Sequence, residues 1–290
     1  MLINTMKAVV FGGRTGLLGQ SLVKALQEAG AEVIAPSRDE VDVLDQESVR
    51  RIIEEFKPDA VFNAVAYTQV DLAEDKEEDA FALNATVPPL LAAQASRVGA
   101  LFVHYSTDFI FRGNANIPYQ EHEKPGAVSI YGISKAGGEQ GLMDLDYERT
   151  LIIRISWLFG PGKMNFVQRI LELAAERDRL TVVADQTGSP SYTPDLAANT
   201  LELIKKDALG VYHLCNTGVA TWHDLASAAV AMAGIECNVE PISSSEWPTK
   251  ATRPAYSVLD TTKFTGKTGV TPRHWRDALR EYVEQLTPVT

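Results

Sequence analysis

The chain has 290 residues, a formal net charge of −11 and an ordinary globular balance of 45% hydrophobic and 22% charged residues. This length allows one large domain or two modest ones with a substantial core. The acidic balance argues against nucleic acid as a partner, because a phosphate backbone is bound by a basic face. Apolar runs are shorter than the ~18 residues that a membrane span requires, so we expect no membrane association.

The N-terminal residues and the cysteines favour a cytoplasmic protein. Residues 1–7 lack the features of a signal peptide, and we interpret them as a short lead-in to the first strand. Cys215 and Cys237 form neither a closely spaced metal motif nor a disulfide framework. The histidines show no metal-ligand spacing, and we expect them to be structural or exposed. They are His104, His122, His213, His223 and His274.

The first half of the chain alternates short β-rich runs with longer segments of helical periodicity. The predicted strands are Lys7–Phe11, Glu32–Ala35, Ala60–Ala64, Leu101–Ser106 and Leu151–Ile155. The predicted helices are Gly16–Ala29, Gln46–Phe56, Glu77–Val98 and Asn165–Arg177. Strands separated by such helices form βαβ units, and right-handed crossovers place helices on both faces. We therefore expect an α/β fold with a doubly wound, Rossmann-like parallel sheet.

A glycine-rich turn follows the first predicted strand and opens the first predicted helix. Its glycines, Gly13, Gly16 and Gly19, have the spacing G-x-x-G-x-x-G. They permit a tight turn, a close approach of the backbone to a pyrophosphate, and close packing of the helix on the strand. The N–H groups and the dipole of the helix N-terminus attract the anion. We interpret this turn as the phosphate cradle of a dinucleotide.

The end of the second predicted strand indicates which dinucleotide is bound. An acidic residue about 20 residues after the glycines would hold the ribose 2′-hydroxyl of NAD, but Ser37 and Arg38 stand there. A hydroxyl and a guanidinium suit a 2′-phosphate, so NADPH is favoured, while the neighbouring Asp39 leaves NADH open. The alternative interpretation of Arg38 is an ordinary exposed loop arginine.

Prolines and glycines become frequent after residue 155, and helices there are separated by loops. We expect residues 1–155 to form an NAD(P)-binding Rossmann domain. Residues 156–290 would form a smaller substrate-binding region that covers the strand ends and is interleaved with the first domain.

Upstream, the acidic run from Asp71 to Asp79 is interpreted as a solvated helix start rather than as a metal site.

Tyr131 and Lys135 form a Tyr-x-x-x-Lys pair after the fourth predicted strand, whose end carries Thr107 and Asp108. On a helix, residues four apart share one face. A lysine ammonium beside a phenol favours the phenolate, so we expect Lys135 to lower the pKa of Tyr131 and to let it exchange a proton with a substrate oxygen. Thr107 would be a second donor to that oxygen. A surface tyrosine–lysine pair is the alternative interpretation.

Three glycines in the same predicted helix, Gly132, Gly137 and Gly138, lower its stability by roughly 1 kcal/mol each relative to alanine. We expect a close approach to another backbone segment or to the cofactor to compensate for this loss.

Six blocks of sequence occur in a recognisable order. They are Asn63 to Glu74, Ser106 to Phe111, Tyr131 to Glu139, Arg154 to Gly160, Asp185 to Pro190 with Pro194 and Asp195, and Arg253 to Asp260. In this order, and over nearly the whole chain, the sequence resembles the extended short-chain dehydrogenases and, within them, the dTDP-4-dehydrorhamnose reductases. It departs from that family's pattern in three ways. Val65 stands where alanine is common, Gly137 is unusual after Lys135 and Ala136, and the chain begins a few residues early.

The resemblance implies reduction of the 4-keto group of dTDP-4-dehydro-L-rhamnose, which yields dTDP-L-rhamnose. It implies that Tyr131 is the proton donor and that Lys135 adjusts the pKa of Tyr131 and binds the ribose. It also implies that Thr107 forms a hydrogen bond with the substrate oxygen. Asp108 and Trp157 fall at sugar-binding positions. The implied cofactor contacts are Gly16, Leu17 and Leu18 at the pyrophosphate, Asp42 and Val43 at the adenine, and Ala64, Ala66, Tyr67 and Thr68 at the middle of the cofactor.

Two of the implied substrate contacts also have ordinary structural interpretations. Trp157 is expected to stack on the substrate, with a core tryptophan as the alternative. Arg253 is expected to contact the substrate diphosphate, because a guanidinium can bind phosphate oxygens with two hydrogen bonds, and a structural arginine is the alternative. Some members of the resembled family use Mg²⁺ at a dimer contact. We can assign no metal ligand in this sequence, so Mg²⁺ and a homodimer both stay open.

Three other functions compete with the reductase. A sugar-nucleotide 4,6-dehydratase would require an acid directly after Asp108, and the chain has Phe109 there. An epimerase on the same fold would use Tyr131 and Lys135 equally well. A non-catalytic regulatory subunit would bind the nucleotide without turnover, although the complete set of Thr107, Tyr131 and Lys135 argues against it.

Overall fold

A computed structural model describes residues 2–286, so Met1 and residues 287–290 of the expected domain ranges lie outside the described part. The strands are β1 Lys7–Phe11, β2 Glu32–Ile34, β3 Ala60–Asn63, β4 Leu101–Thr107, β5 Thr150–Ile155, β6 Leu158–Phe159, β7 Arg179–Val183, β8 Thr187–Gly188, β9 Ser191–Tyr192, β10 Gly210–His213, β11 Ala220–Thr221 and β12 Asn238–Ile242. The helices are α1 Leu17–Glu28, α2 Gln46–Phe56, α3 Val70–Ala73, α4 Glu77–Phe81, α5 Val87–Arg97, α6 Ile130–Leu145, α7 Phe166–Glu176, α8 Thr193–Lys205, α9 Trp222–Met232, α10 Thr262–Thr268 and α11 Trp275–Leu286.

The main sheet has six strands in the order β10-β5-β4-β3-β1-β2, and every neighbouring pair is parallel. The chain leaves β1 to form β2 on one side and then crosses to form β3 on the other. This reversal is a topological switch point, and sheets of this kind bind ligands there, at the carboxyl ends of the strands. The expected doubly wound parallel sheet is confirmed.

Strand β1 shows how the sheet is covered on both faces. Successive side chains of a strand point to opposite faces. Ala8 and Val10 accordingly join the apolar cluster that contains Leu22 of α1. Val9 and Phe11 join the other cluster, with residues of α2 and α5. Burial on both faces explains why this strand is a continuous apolar run rather than an alternating one.

Residues beyond 155 contribute to two parts of the fold. Strand β10 pairs in parallel with β5 and completes the main sheet. Helices α8 and α10 pack with α1 in the apolar cluster on one face of this sheet. Helices α7, α9 and α11 build a third apolar cluster that extends from Phe159 to Val283. Beside this cluster, β12 pairs in parallel with β7.

The helix predicted over residues 77–98 is interrupted. A π-helical segment, Ala82–Thr86, separates α4 from α5. Pro88 and Pro89 occupy the first turn of α5; proline has no N–H to donate, and its ring crowds the carbonyl four residues earlier. The wider π turn provides the necessary space and is a common feature of functional sites.

The acidic run is only partly the solvated helix start that its composition predicts. Glu77, Glu78 and Asp79 do form the first turn of α4. Asp71 and Asp75 instead form ion pairs with Arg253 and Lys250. The partners lie more than 170 residues further along the chain, so local composition could not reveal them. Within residues 2–286, no helix is long and apolar enough to cross a membrane.

Candidate active site

The glycine-rich loop folds tightly between β1 and α1. The N–H of Gly13 donates to the Val10 carbonyl at 3.1 Å, and the N–H of Gly16 donates to the Gly12 carbonyl at 3.0 Å. A Cβ on Gly16 would lie 2.6 Å from the Gly12 oxygen, and one on Gly19 would collide with the same oxygen. Gly16 is the N-cap of α1 and has no side chain to cover the first amide groups. The turn therefore fits a pyrophosphate, which Leu17 and Leu18 would meet through their backbone.

The loop after β3 lies against this cradle. Gly12 has a φ of +83°, and a Cβ there would lie 2.8 Å from the Ala64 carbonyl oxygen. Ala66 and Tyr67 are half-buried and Thr68 is exposed. These residues therefore border one side of the groove at the switch point.

Asn84 holds this loop in place and was not identified from the sequence. Its Oδ1 accepts the Tyr67 N–H at 2.9 Å, and its Nδ2 faces the Tyr67 carbonyl at 3.1 Å and the Ser134 hydroxyl at 3.0 Å. Asn84 is fully buried in the π-helical segment. The sequence feature that could have identified Asn84 is a polar amide side chain within an otherwise apolar helical pattern.

The segment after β2 forms a turn closed by its own polar groups. The Ser37 N–H donates to Glu40 Oε2 at 2.7 Å, and the Glu40 N–H donates back to the Ser37 hydroxyl at 3.3 Å. Arg38 is exposed. The Asp42 carboxylate accepts the N–H two residues further on, and Val43 packs against the apolar cluster of β1 and α2. The exposed Arg38 therefore leaves the predicted contact with a 2′-phosphate open.

Thr107, Asp108 and Tyr131 converge at the carboxyl end of β4. The Thr107 hydroxyl donates to Asp108 Oδ1 at 3.0 Å and accepts the Phe109 N–H at 3.2 Å. The phenol ring of Tyr131 packs edge-on against Phe109, with the ring centroids 5.6 Å apart. Burial, the largest effect, and the Asp108 charge raise the pKa of Tyr131 to about 12, although a hydrogen bond with Thr107 opposes them.

The expected lowering of the Tyr131 pKa by Lys135 is therefore wrong for this structure. The Lys135 amine donates to the Tyr105 carbonyl at 2.6 Å and contacts His104 Nε2 at 3.4 Å. Burial also lowers the pKa of Lys135 to about 8, against the opposing effect of Glu139. Tyr131 thus remains a protonated phenol at neutral pH and can donate a proton.

Asp108 has one oxygen without a partner. The side chain is buried, and burial raises its pKa to about 7 although hydrogen bonds from Ser257 and Thr107 lower it. Among residues 2–286, no group forms a hydrogen bond with Asp108 Oδ2. An unsatisfied buried polar atom costs about 1–3 kcal/mol, so this oxygen suits a ligand hydroxyl. Ser257 belongs to the C-terminal block, which the structure brings to the site.

The glycines of α6 lie against other backbone segments. A Cβ on Gly132 would collide with the Phe109 carbonyl oxygen, and one on Gly138 would collide with that of Asn84. A Cβ on Gly137 would come within 3.2 Å of the Ala85 methyl group. The expected close approach to another backbone segment is confirmed for Gly132 and Gly138, whereas Gly137 meets only a side chain. The contact at Gly132 fixes α6 over the end of β4.

A buried ion pair also anchors α6. Glu139 accepts from Arg154 of β5, with Oε2 and Nη2 2.7 Å apart and both side chains 2% exposed. Arg154 Nη1 donates to the Glu121 carbonyl at 3.1 Å and lies 3.2 Å from His213 Nε2. Strand β5, strand β10 and α6 are thereby connected behind the candidate site.

The structure does not leave a face of Trp157 free for a sugar. Its indole stacks on Trp222, with centroids 3.7 Å apart and planes inclined by 4°. A Cβ on Gly188 would fall directly over the other face, 2.7 Å from Nε1 and Cζ2. The expected stacking of substrate on Trp157 is therefore not supported by this geometry, because neighbouring protein groups already cover both faces. Only the edge of the ring is left for contact.

The guanidinium of Arg253 is likewise already paired. It forms two hydrogen bonds with the Asp71 carboxylate, at 2.7 and 3.0 Å. The Ala251 N–H donates to the same carboxylate at 3.0 Å. The hydrogen bond from Arg253, together with its charge, lowers the pKa of Asp71 to about 2. Arg253 thus ties the C-terminal block to α3, and its contact with a substrate diphosphate stays a prediction.

Within residues 2–286, no group of three or more His, Cys, Asp or Glu side chains could hold a metal ion.

Many nucleotide-binding proteins have a glycine cradle at the switch point of a parallel sheet. The convergence of Thr107 and Tyr131 over β4, with Lys135 one helical turn away, narrows this protein to the extended short-chain dehydrogenase/reductase class.

The chain belongs to the family described as "RmlD substrate binding domain", whose model matches residues 6–287. It is 39% identical over 280 residues to the spore coat polysaccharide biosynthesis protein SpsK of Bacillus subtilis, covering 97% of this chain and 98% of that protein. It is 38% identical over 277 residues to the dTDP-4-dehydrorhamnose reductase of Streptomyces griseus, covering 93% and 90%.

A solved structure of the Bacillus anthracis dTDP-4-dehydrorhamnose reductase in complex with NADP has a similar fold. It superimposes with a TM-score of 0.93 at 31% sequence identity, covering 97% of this chain and 99% of that one.

Proposed function

We propose that this protein is an NADPH-dependent oxidoreductase that reduces the 4-keto group of dTDP-4-dehydro-L-rhamnose to give dTDP-L-rhamnose. The observation that carries the proposal is the meeting of Thr107 with a protonated Tyr131 at the carboxyl end of β4. The choice of substrate is supported by the named dTDP-4-dehydrorhamnose reductases, which the chain resembles over more than nine-tenths of its length.

The cofactor would lie across the glycine cradle. The first turn of α1, from Leu17, provides backbone N–H groups for its pyrophosphate, and Gly13 and Gly16 leave room for its close approach. Arg38 would meet the 2′-phosphate, and the half-buried backbone at Ala66 would border its middle. The NADP complex of the Bacillus anthracis protein supports this choice of cofactor. When bound, NADPH supplies the hydride.

The residues of the chain would supply the proton and the orientation. Thr107 donates to the keto oxygen and keeps it against the Tyr131 phenol, which gives its proton to that oxygen as the carbonyl is reduced. The unpaired Oδ2 of Asp108 accepts from a sugar hydroxyl. Lys135 binds the nicotinamide ribose. The nucleoside diphosphate, held by the region beyond residue 155, provides the remote binding energy that positions the small sugar.

The test is the loss of NADPH absorbance when the purified protein meets dTDP-4-dehydro-L-rhamnose, compared with other 4-keto sugar nucleotides. We expect that substrate to have the highest kcat/KM, and a free deoxy-keto sugar to lose both kcat and affinity. Interconversion of sugar-nucleotide epimers without added cofactor, and without net NADPH oxidation, would show the epimerase instead. Binding of NADPH with neither reaction would indicate the regulatory subunit.

A further inference from the structure

Residues 254–260, here called the C-terminal strap, run between two other segments of the candidate site. On one side, the Ser257 N–H donates to the Thr187 carbonyl at 2.8 Å. On the other side, the Tyr119 N–H donates to the Val258 carbonyl at 2.8 Å. Backbone hydrogen bonds therefore fix the register of the strap on both of its edges.

The start of the strap is also held firmly. Arg253, directly before it, is bound to the Asp71 carboxylate of α3 by two hydrogen bonds. Gly113 has a φ of +85°, and a Cβ there would lie only 2.5 Å from Pro254 Cα. The Tyr256 N–H donates to the Gly113 carbonyl at 3.1 Å. These contacts determine where the next residue, a serine, can lie.

That serine, Ser257, meets Asp108 in the interior of the site. Each of the two residues is 2% exposed. Burial has the largest effect on the pKa of Asp108 and raises it, whereas hydrogen bonds from Ser257 and then Thr107 lower it. Thr107 donates to Oδ1 at 3.0 Å, and among residues 2–286 no group forms a hydrogen bond with Oδ2. Two hydroxyls of the protein thus hold this carboxyl group while one of its oxygens stays available.

We propose that Ser257 is a positioning residue for the sugar, because it holds the Asp108 carboxylate so that Oδ2 can accept from a sugar hydroxyl. An acceptor that is already fixed has less conformational freedom to lose when the ligand binds. A hydrogen bond to a carboxylate is also stronger than one to a neutral acceptor. The contact with a sugar rests on the proposed function, whereas the effect of Ser257 on Asp108 does not.

The titratable groups near Asp108 keep one charge state around neutral pH. Burial, the largest effect, and the charge of Asp108 raise the pKa of Tyr131 to about 12. Burial, followed by the charges of Asp108 and Asp260, likewise raises the pKa of the Cys215 thiol to about 12. Although burial opposes them, hydrogen bonds from Thr262 hold the pKa of Asp260 below its usual value. A carboxyl titration near pH 7 in this part of the site therefore reports Asp108.

The first test is ¹³C NMR of the free protein with labelled aspartate side chains, in which Asp108→Asn identifies the Asp108 signal. We expect its midpoint near pH 7. Ser257→Ala should raise this midpoint by about one pH unit, because the ionised carboxylate loses a hydrogen bond.

The matched control is Ser191→Ala, which removes another buried serine hydroxyl, one that donates to the Ser189 carbonyl at 3.3 Å. It should leave the Asp108 midpoint unchanged. No rise in Ser257→Ala, or an equal rise in Ser191→Ala, would overturn the proposal whether or not the protein reduces a sugar.

Ser257→Cys provides the same comparison if Ser257→Ala does not fold. The thiol fills the place of the hydroxyl but is only a weak donor. The Asp108 midpoint should therefore rise in this variant as well, and an unchanged or lower midpoint would count against the proposal.

The second test follows the KM for dTDP-4-dehydro-L-rhamnose as a function of pH. Protonation of Asp108 removes a charge-assisted acceptor, so this KM should rise as the pH falls through the pKa of Asp108. In Ser257→Ala the rise should begin about one pH unit higher, which makes KM roughly fivefold larger at about pH 7.

The corresponding kcat should change less than KM, because a contact made equally in the ground state and the transition state affects binding alone. A pH profile parallel to that of the parent protein, or a loss confined to kcat, would reduce Ser257 to a structural residue of the strap. If the protein oxidises no NADPH with this substrate, the proposed function fails, and the NMR midpoints still decide whether Ser257 controls Asp108.

Discussion

The indole of Trp157 lies between the indole of Trp222 and the backbone of Gly188. One face is stacked at 3.7 Å on Trp222, and the other is so close to Gly188 that a methyl group there would overlap it. Trp157 holds this position with a left-handed φ of +46°, which is strained for a bulky residue. The surrounding contacts therefore over-determine its place between Trp222 and Gly188.

Gly188→Ala should consequently displace Trp157. We expect kcat/KM to fall by roughly 10–100-fold, because a misplacement of about 1 Å can have effects of this order even when the mutation is far from the reacting groups. The near-ultraviolet circular dichroism of the stacked indoles should weaken in parallel. The matched control is Gly266→Ala in α10, where no atom lies within 4 Å of the new methyl group. If Gly188→Ala retains both the spectrum and the activity, the packing of Trp157 between Trp222 and Gly188 does not constrain the position of its indole.

Tyr131→Phe tests the proton donor. The variant lacks the phenolic proton, so kcat should fall by roughly 10²–10⁴-fold, the usual contribution of a positioned general acid. The NADPH Kd, measured by fluorescence titration, should stay near that of the parent protein. Tyr147→Phe is the control, since its hydroxyl donates to the Ala100 carbonyl at 2.7 Å. Near-normal turnover in Tyr131→Phe would remove this residue from the reaction.

Arg38→Ala tests how the protein distinguishes its dinucleotides. Loss of a charge-assisted contact with the 2′-phosphate should raise the KM for NADPH by roughly tenfold or more and leave that for NADH nearly constant. Arg177→Ala removes another exposed arginine, after α7, and serves as the control for net charge. Equal effects of Arg38→Ala on the two cofactors would mean that this side chain does not bind the 2′-phosphate.

The Asp71–Arg253 ion pair should make stability depend on acidity. The pKa of Asp71 falls from 3.8 to about 2 in the folded protein, so its contribution is present above about pH 4 and disappears as the pH falls through about 2. Because the Asp71 side chain is 44% exposed, solvent limits this contribution to about 1 kcal/mol. Arg253→Met should lower the urea midpoint at neutral pH. The difference from the parent protein should shrink between about pH 4 and about pH 3, and a constant difference would assign the loss to packing.

Periodicity predicted the elements of the first half well. Lys7–Phe11 and Gln46–Phe56 form with the predicted bounds, because a buried strand and an amphipathic helix leave strong local patterns. The glycine cradle was also visible, since its conformation depends on residues close together in sequence. Thr107 and Tyr131 could be placed together because the topology brings the end of β4 under the following helix.

Other features depend on contacts that no local pattern reveals. The pairing of Arg253 with Asp71 joins residues 182 positions apart, so the arginine could equally have faced a diphosphate. The raised pKa of Tyr131 depends on its burial, on a hydrogen bond with Thr107 and on the charge of Asp108. The π-helical segment directly precedes two prolines, whose rings crowd the carbonyls four residues earlier.

The position of β10 in the main sheet has a consequence for synthesis of the chain. Strand β5 ends at residue 155, but its neighbour β10 begins only at residue 210. Until that segment leaves the ribosome, β5 is an edge strand with unpaired backbone groups, and five of its six residues belong to the interior of the finished protein. Exposed, apolar edges of this kind pair readily with other chains. A nascent protein stalled or cleaved between these two strands would therefore be a substrate for chaperones and a source of aggregates rather than a folded half-enzyme.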